Sequence, residues 1–388
     1  MFSDQPNKDS RVGDDCGKPL QTDTEAIFLA AIRQNLDDDR PRLAYADWLD
    51  ARGEPRGEFI RLQCGLARFR IHDPRMRLQT RKEAVNNLGW IGRSYPDYAA
   101  LARHELALLE TFGADWGRLF KPLGKSPRAE RNSHIPSNWM FRRGFVESVF
   151  VFPRLLSLAI ELIASSTEPV RHVWVWAASD FEGQGTGGRV CLGNNGCGIL
   201  SNARGLEAIQ SLHLRYAEIS PAGIHRLTCS AAFPSLGTLD LHSNKIRSMG
   251  AMMLGESHLL SKLAVLDLGN NDIGDSGARA IAESPYSRRL RVLNLSSNNL
   301  TDEGALALAA SAHFRSLECL HISNNSIGPD GTRALLRLRE RTPLRVLQLK
   351  KNKISVEDFA GELEVQTAWH VRPCCFFRAR RSPHRNTE

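Results

Sequence analysis

Apolar positions in the second half of the chain recur with a 27-residue period. The pattern L-x-x-L-x-L-x-x-N-x-[IL] is carried by Leu236, Leu239, Leu241, Asn244 and Ile246, then by Leu263, Leu266, Leu268, Asn271 and Ile273. It continues as Leu290, Leu293, Leu295, Asn298 and Leu300, as Leu317, Leu320, Ile322, Asn325 and Ile327, and as Leu344, Leu347, Leu349, Asn352 and Ile354. An earlier copy, Ile209, Leu212, Leu214, Ala217 and Ile219, has Ala in the Asn place. The second half of each copy keeps step: Gly223, Gly250, Gly277, Gly304 and Gly331 share one phase, Leu227, Leu254, Ile281, Leu308 and Leu335 another, and Ser230, Ser257, Ser284 and Ser311 a third. So many independent positions at one period predict stacked supersecondary units with one continuous core.

Within a copy, the L-x-L alternation predicts a short strand. Leu266 and Leu268 face the core, while Val265, Asp267 and Gly269 face the other way. Asn271 follows where the chain turns, and its amide can donate and accept for backbone groups cut off from water. Stacked, Asn244, Asn271, Asn298, Asn325 and Asn352 form a structural ladder. Asp275 and Asp302 stand where they can cap the helix that starts beside them, which runs over about 278–283 in its copy. These residues resemble the leucine-rich-repeat family, and the repeat length resembles its ribonuclease-inhibitor-like class. The resemblance covers roughly half the chain. It implies an α/β horseshoe solenoid, with parallel strands on the concave side and helices on the convex side.

The six copies occupy 209–365. Residues 144–208 read as an N-terminal cap: a strand over 144–151, a helix over 155–164, a degenerate strand at Val170-Arg-His-Val-Trp-Val175, and a loose Gly-rich stretch over 180–205. After Val365 the pattern stops, which predicts a capping unit and a basic tail, 366–388, carrying Arg372, Arg378, Arg380, Arg381 and Arg385.

Ahead of the repeats, residues 1–21 are polar and are expected to be disordered. Thr22-Asp-Thr-Glu25 is a capping box before the apolar run 26–32. A second helix follows Asp39, and a third begins near Gly57, burying Phe59, Ile60, Leu62 and Leu66. Arg42-Leu-Ala-Tyr-Ala-Asp-Trp-Leu49 with Gly53-Glu-Pro-Arg-Gly-Glu-Phe-Ile-Arg-Leu-Gln63 resembles the bacterial repeat-companion domain found ahead of leucine-rich repeats. This predicts a small all-α domain over 22–70. Asp47, Trp48, Arg56 and Glu58 are either binding residues or a surface ion-pair set around a core Trp, the latter being favoured. Residues 71–143 read as a connector, helical over 104–112, with a Pro-, Ser- and Arg-rich linker over 124–138.

The spacing also writes out the concave face. Its central row is Trp174, His213, Asp240, Asp267, Asn294, His321 and Gln348. The neighbouring row is Trp176, Arg215, His242, Gly269, Ser296, Ser323 and Lys350. Strands about 4.8 Å apart bring His213, Asp240, His242 and Asp267 together. A hydrated polar patch flanked by tryptophans is expected there rather than a metal site, and it suits a protein partner.

Catalytic signatures are missing. Gly183-Gln-Gly-Thr-Gly-Gly188 matches G-x-G-x-x-G, but no amphipathic helix is seen after it to receive a phosphate. No Walker motif, G-x-S-x-G, H-E-x-x-H or kinase motif occurs. No C-x-x-C pair exists among the eight cysteines, so they read as reduced thiols in a reducing compartment. No cysteine is followed two residues later by Asp, the nucleophile pattern of bacterial repeat-bearing ubiquitin ligases. A formal charge of +8 permits acidic partners without demanding them. No membrane span or signal peptide is read. The chain is thus expected to be a cytoplasmic, monomeric, non-enzymatic scaffold, without cofactor or metal, that binds a protein on the concave face. Two alternatives stand beside this. Ran GTPase-activating proteins share the repeat class and act through an Arg or Asn on the horseshoe, which would make Arg215 the residue of interest. Nucleic-acid association through the basic tail is the least favoured.

Overall fold

The computed structural model describes residues 19–69, 96–124, 138–175 and 191–354. Expectations that fall elsewhere lie outside the described residues: the disordered start, the G-x-G-x-x-G stretch, most of the linker, Trp176, the helix of the sixth copy and the basic tail.

The described residues divide into two compact units. Those of the first fall within 1–113, 141–145 and 167–169. Helices α1 (Pro19–Gln34), α2 (Arg40–Asp50) and α3 (Pro55–Leu66) pack Ile32, Tyr45, Ala46, Leu49, Ile60 and Cys64 into one core with Phe145. Helix α1 begins at Pro19, ahead of Thr22, so the capping box lies within a helix rather than at its start. Helix α4 (Pro96–Trp116) is more than twice the length expected from its apolar spacing. It supplies Tyr98, Ala102 and Leu106 to a second cluster with Leu66, and Glu105 accepts a 2.8 Å hydrogen bond from Gln63. Packing therefore carries this unit past the expected boundary at residue 70. It also takes in the bend at Gly144, whose φ of 87° needs glycine and whose N–H donates to Gln63 Oε1 at 2.7 Å.

The four polar or aromatic residues singled out in this unit are held by internal contacts. Arg56 pairs with Glu168 at 2.6 Å and lies 5.0 Å from the centroid of Phe145. Arg61 bridges Asp47 and Asp50. Glu58 pairs with His104 at 3.2 Å. Trp48 is partly buried beside Phe28 and Tyr45, with Arg52 stacked 3.6 Å from its centroid.

The second unit is an α/β solenoid. The sheet runs in chain order from β1 (Trp139–Arg142) and β2 (Phe145–Val151) through β3 (His172–Val175), β4 (Ser211–His213), β5 (Thr238–Asp240), β6 (Val265–Asp267), β7 (Val292–Asn294), β8 (Cys319–His321) and β9 (Val346–Gln348). From β2 onward each neighbour pairs in parallel. The crossovers carry helices α5 (Leu156–Ser165), α6 (Gly193–Ser201), α7 (Pro221–Thr228), α8 (Arg247–Gly255), α9 (His258–Lys262), α10 (Gly274–Glu283), α11 (Asp302–Ala310) and α12 (Pro329–Leu338). The leucines at the repeat positions form the core, and Leu266, Leu268, Leu293, Leu295 and Leu320 are fully buried. Each such side chain contributes roughly 1.5–3 kcal/mol by leaving water.

Within the stretch 180–205, expected to be loose, the described residues from 191 on form helix α6. Leu192, Gly196 and Leu200 stand one full period before Ile219, Gly223 and Leu227, so the helical half of a further repeat is present. Its strand is hidden from a periodic reading because His172 in β3 pairs with Ser211, well over one period later.

Three polar ladders satisfy backbone groups at the repeat joints. In the Asn ladder, Asn298 Oδ1 accepts from Asn271 N–H at 2.9 Å and Ile273 N–H at 3.3 Å, while its Nδ2 donates to the Leu268 and Ser296 carbonyls. Each Asn thus serves the turn of the repeat before it. The Ser positions form a second ladder: Ser230, Ser257 and Ser284 donate to the carbonyls of Ser201, Thr228 and Gly255, near the end of the preceding helix. The third corrects the expectation for Asp275 and Asp302. Asp275 accepts from the backbone of Thr301 and Gly304, and Asp302 from Gly328 and Gly331, so each caps the helix of the following repeat. This explains part of the Gly phase, since a Cβ on Gly331 would lie 2.5 Å from Asp302 Oδ1.

Candidate functional site

The candidate site is the sheet face turned away from the helices. The strand register sets Phe150, Trp174, His213, Asp240, Asp267, Asn294, His321 and Gln348 side by side, one from each of eight strands. Phe150 extends the expected row by one aromatic. Spacing alone does not place it, because β2 and β3 stand outside the repeat: Ser148 pairs with His172, less than one period on.

The aromatic end is a continuous stack. Phe150 and Trp174 lie 5.9 Å apart between ring centroids, and Trp174 and His213 lie 3.5 Å apart and 2° from parallel. His213 Nδ1 then meets Asp240 Oδ2 at 3.3 Å, and Arg215 Nε approaches the same oxygen at 3.6 Å. Beside them, His242 Nδ1 lies 3.5 Å from Asp267 Oδ1, which also accepts from Asn294 Nδ2 at 2.9 Å.

The middle of this row is not the hydrated patch expected from sequence. His213, Asp240, Asp267 and Asn294 are buried, at 2, 7, 3 and 7% exposure. The reason is local. Asp240 accepts from the backbone N–H of His242, Asp267 from Gly269 and Asn294 from Ser296, so each side chain folds back to close its own strand end. Arg215 and Lys350, in the outer row, and Gln348, at the end of the central one, remain exposed, and His242, Ser296, Ser323 and His321 are half-buried. The face therefore has a rigid, self-bonded floor and a polar margin.

Electrostatics follow from this packing. Burial of the Asp240 carboxyl opposes its ionisation, but the hydrogen bond with His213 and the charges of Arg215 and His213 outweigh it and lower its pKa. His321 titrates below the ordinary histidine value because burial disfavours its charged form, against opposing pulls from Gln348 and Asp267. The unfolded chain therefore takes up a proton on His321 at higher pH than the folded one. Stability should fall as pH drops from the ordinary value of about 6.5 toward the folded one. We expect His321→Leu to flatten that part of the urea-stability profile, and an unchanged slope would sink the assignment.

Among the described residues, no group of three or more His, Cys, Asp or Glu side chains is arranged to hold a metal ion. Burial pushes the Cys64 and Cys197 thiols up to about 12, far from nucleophilic. No helix among the described residues is long and apolar enough to cross a membrane.

A family model agrees with the repeat reading. Residues 260–282, 286–309 and 314–336 match the leucine-rich repeat family model. A search of curated proteins found no match. Among solved structures, an internalin from Listeria monocytogenes is 21% identical over 49% of this chain and 51% of that chain, with a TM-score of 0.31. The aligned part thus spans about half of the internalin chain. The protein carries leucine-rich repeats, a type of domain that generally serves protein interaction.

Proposed function

We propose that the chain is a non-catalytic scaffold that binds a protein partner on the concave face of its repeats. The observation that carries this reading is the row of eight side chains, drawn from eight strands and locked by mutual stacking and hydrogen bonds. A face ordered before binding loses little side-chain freedom when a partner arrives. It also offers an aromatic end, Phe150 and Trp174, next to exposed Arg215, and aromatics and arginine are the residue types that dominate protein interfaces. On this reading Trp174, Trp176, His213, Arg215, Asp240, His242, Asp267, Asn294, His321, Gln348 and Lys350 line the partner site. The first unit is read as a repeat-companion domain, and the protein as a monomer of a reducing, cytoplasmic compartment.

Arg215 is tethered to Asp240 by its Nε rather than held clear of the surface, so nothing in its geometry favours a role on a GTPase. A photo-crosslinking amino acid placed at 215 should capture a discrete partner in living cells. The same group at Arg279, exposed on the helix side, should not. Equal capture from both sites, or capture from 279 alone, would overturn the proposal.

A further inference from the structure

The two edges of the repeat stack differ in charge. In the turns after β6 and β7, residues 270–275 and 297–302 carry Asp272, Asp275 and Asp302 and no cation. On the other edge, the segments that lead into β7, β8 and β9 span 284–291, 311–318 and 338–345 and hold seven arginines against two carboxylates, Glu318 and Glu340. Glu318 is taken up by Arg291 at 2.7 Å. One repeat earlier the same edge adds Lys262 and Glu256, and Glu283, which closes α10, pairs with Arg279 at 3.8 Å. Arg288, Arg289, Arg315 and Arg345 are exposed, and none enters an ion pair or hydrogen bond through its side chain among the described residues. Helix ends do not account for them. Arg288 and Arg315 lie five residues beyond the last residues of α10 and α11, past the turn in which a helix dipole acts.

The register lines these cations up. Val265 pairs with Val292 and Val292 with Cys319, so Lys262 stands beside Arg289 and Arg288 beside Arg315, at equal offsets from the paired residues. Aromatic rings are set among them. Helix α9 and a 3-10 helix, Pro285–Arg289, occupy the same place in consecutive repeats, opened by Ser257 and Ser284, whose hydroxyls accept from the backbone of Leu259 and Tyr286. Tyr286 and Arg289 stand one turn apart on the 3-10 helix and share a face. His258 and Lys262 do the same on α9. The His258 and Tyr286 rings lie 4.6 Å apart between centroids, and Tyr286 Oη lies 3.4 Å from His258 Nε2. His313 repeats the Tyr286 position one period on. The leucines of these segments and Phe314 are all buried.

We propose that this edge binds a single-stranded nucleic acid. Arginines of adjacent repeats follow the phosphates, which their forked donors grip, and bases stack on the rings of Tyr286 and His258. Rings set beside regularly spaced cations match a strand whose every unit carries one phosphate and one π-face. A bilayer surface takes apolar side chains that insert, and a protein interface has an apolar centre. This edge offers neither, because its leucines are buried. The proposal goes beyond the protein-binding reading and does not depend on the strand-face row.

The test is fluorescence anisotropy of a fluorescein-labelled oligouridylate of about 15 nucleotides with the full chain. The triple variant Arg288→Ala, Arg289→Ala, Arg315→Ala should bind about a hundredfold more weakly at about 0.1 M salt. Its plot of log affinity against log salt should be less steep by about 2, since each phosphate contact on a single strand contributes about 0.7. Tyr286→Ala should weaken binding about tenfold with the salt slope unchanged, as loss of a stacking platform does, and Tyr286→Phe should bind as the wild type does. An abasic strand of the same length should not distinguish Tyr286→Ala from wild type. A control triple in the basic tail, Arg378→Ala, Arg380→Ala, Arg381→Ala, removes equal charge and should leave affinity and slope unchanged. Absence of wild-type binding, wild-type affinity in the edge triple, or indifference to Tyr286→Ala would overturn the proposal. So would loss of binding in the tail triple alone, which moves the site to the tail. Displacement of the strand by polyglutamate at equal charge concentration would also overturn it, assigning the edge to an acidic protein. Failed crosslinking at 215 with strand binding intact would remove the row and keep the edge.

Discussion

Replacing Arg171 by Met should cost the repeat unit about 3–5 kcal/mol, a large share of the stability of an ordinary domain. Arg171 Nη2 donates to Glu147 Oε2 at 2.7 Å, and the side chains of the pair are 2% and 0% exposed. Truncating the cation strands a carboxylate in a medium that solvates it poorly. The loss should therefore far exceed that for an exposed pair such as Arg333–Asp330, where about 0–1 kcal/mol is the rule. The backbone at this point is also busy: the Arg171 carbonyl accepts from Gln210 and Ser211, and its N–H donates to Glu147 O. Those bonds survive the substitution, which isolates the charge effect. Urea unfolding followed by far-ultraviolet circular dichroism measures it. The double variant Arg171→Met with Glu147→Leu should recover most of the loss, because two apolar side chains leave no unpaired charge. A single-variant cost below about 1 kcal/mol would mean that Glu147 reaches water, contrary to its burial.

The second large effect is expected at Asn298. Its amide satisfies two N–H groups and two carbonyls, and the residue is fully buried. Asn298→Ala removes the partner of the Asn271 and Ile273 N–H groups and of the Leu268 carbonyl at once, while the Ser296 carbonyl keeps its bond from Asn270 N–H. Each orphan costs about 1–3 kcal/mol in isolation, with the sum reduced by local adjustment, so about 3–5 kcal/mol is expected in the same urea experiment. Asn298→Asp should not restore stability, since a carboxylate accepts but cannot donate to the Leu268 and Ser296 carbonyls. An Asn298→Ala cost near that of a surface substitution would show that water replaces the amide.

The repeat is legible because its signals are redundant. Leu263, Leu266, Leu268, Asn271 and Gly277 each do a separate physical job at a fixed offset, so no single substitution hides the pattern. The central row is legible for the same reason: with an unbroken period, residues one period apart must stand side by side. Legibility ends where the period does. Phe150 and the strand ahead of helix α6 escape a periodic reading because the strand spacings depart from it, short between Ser148 and His172 and long between His172 and Ser211, although Leu192, Gly196 and Leu200 keep the period. The partnership of Arg171 with Glu147 joins two segments outside the period, and neither residue carries a local signature. Asp275 and Asp302 are legible as helix caps but not as caps of the next helix, since a capping side chain can reach the following repeat as readily as its own.

The amino-acid sequence alone determined that the chain is built from strand-plus-helix repeats, which residues form the core, and which side chains share a row. Periodicity suffices for this, because register depends on spacing alone. The tertiary structure decided how much of each side chain meets water and whom it bonds. It bonded Asp240, Asp267 and Asn294 back to their own strand ends and left only a few per cent of each exposed. Burial and pairing depend on which neighbours fold over a residue in three dimensions. A one-dimensional period carries no information about that.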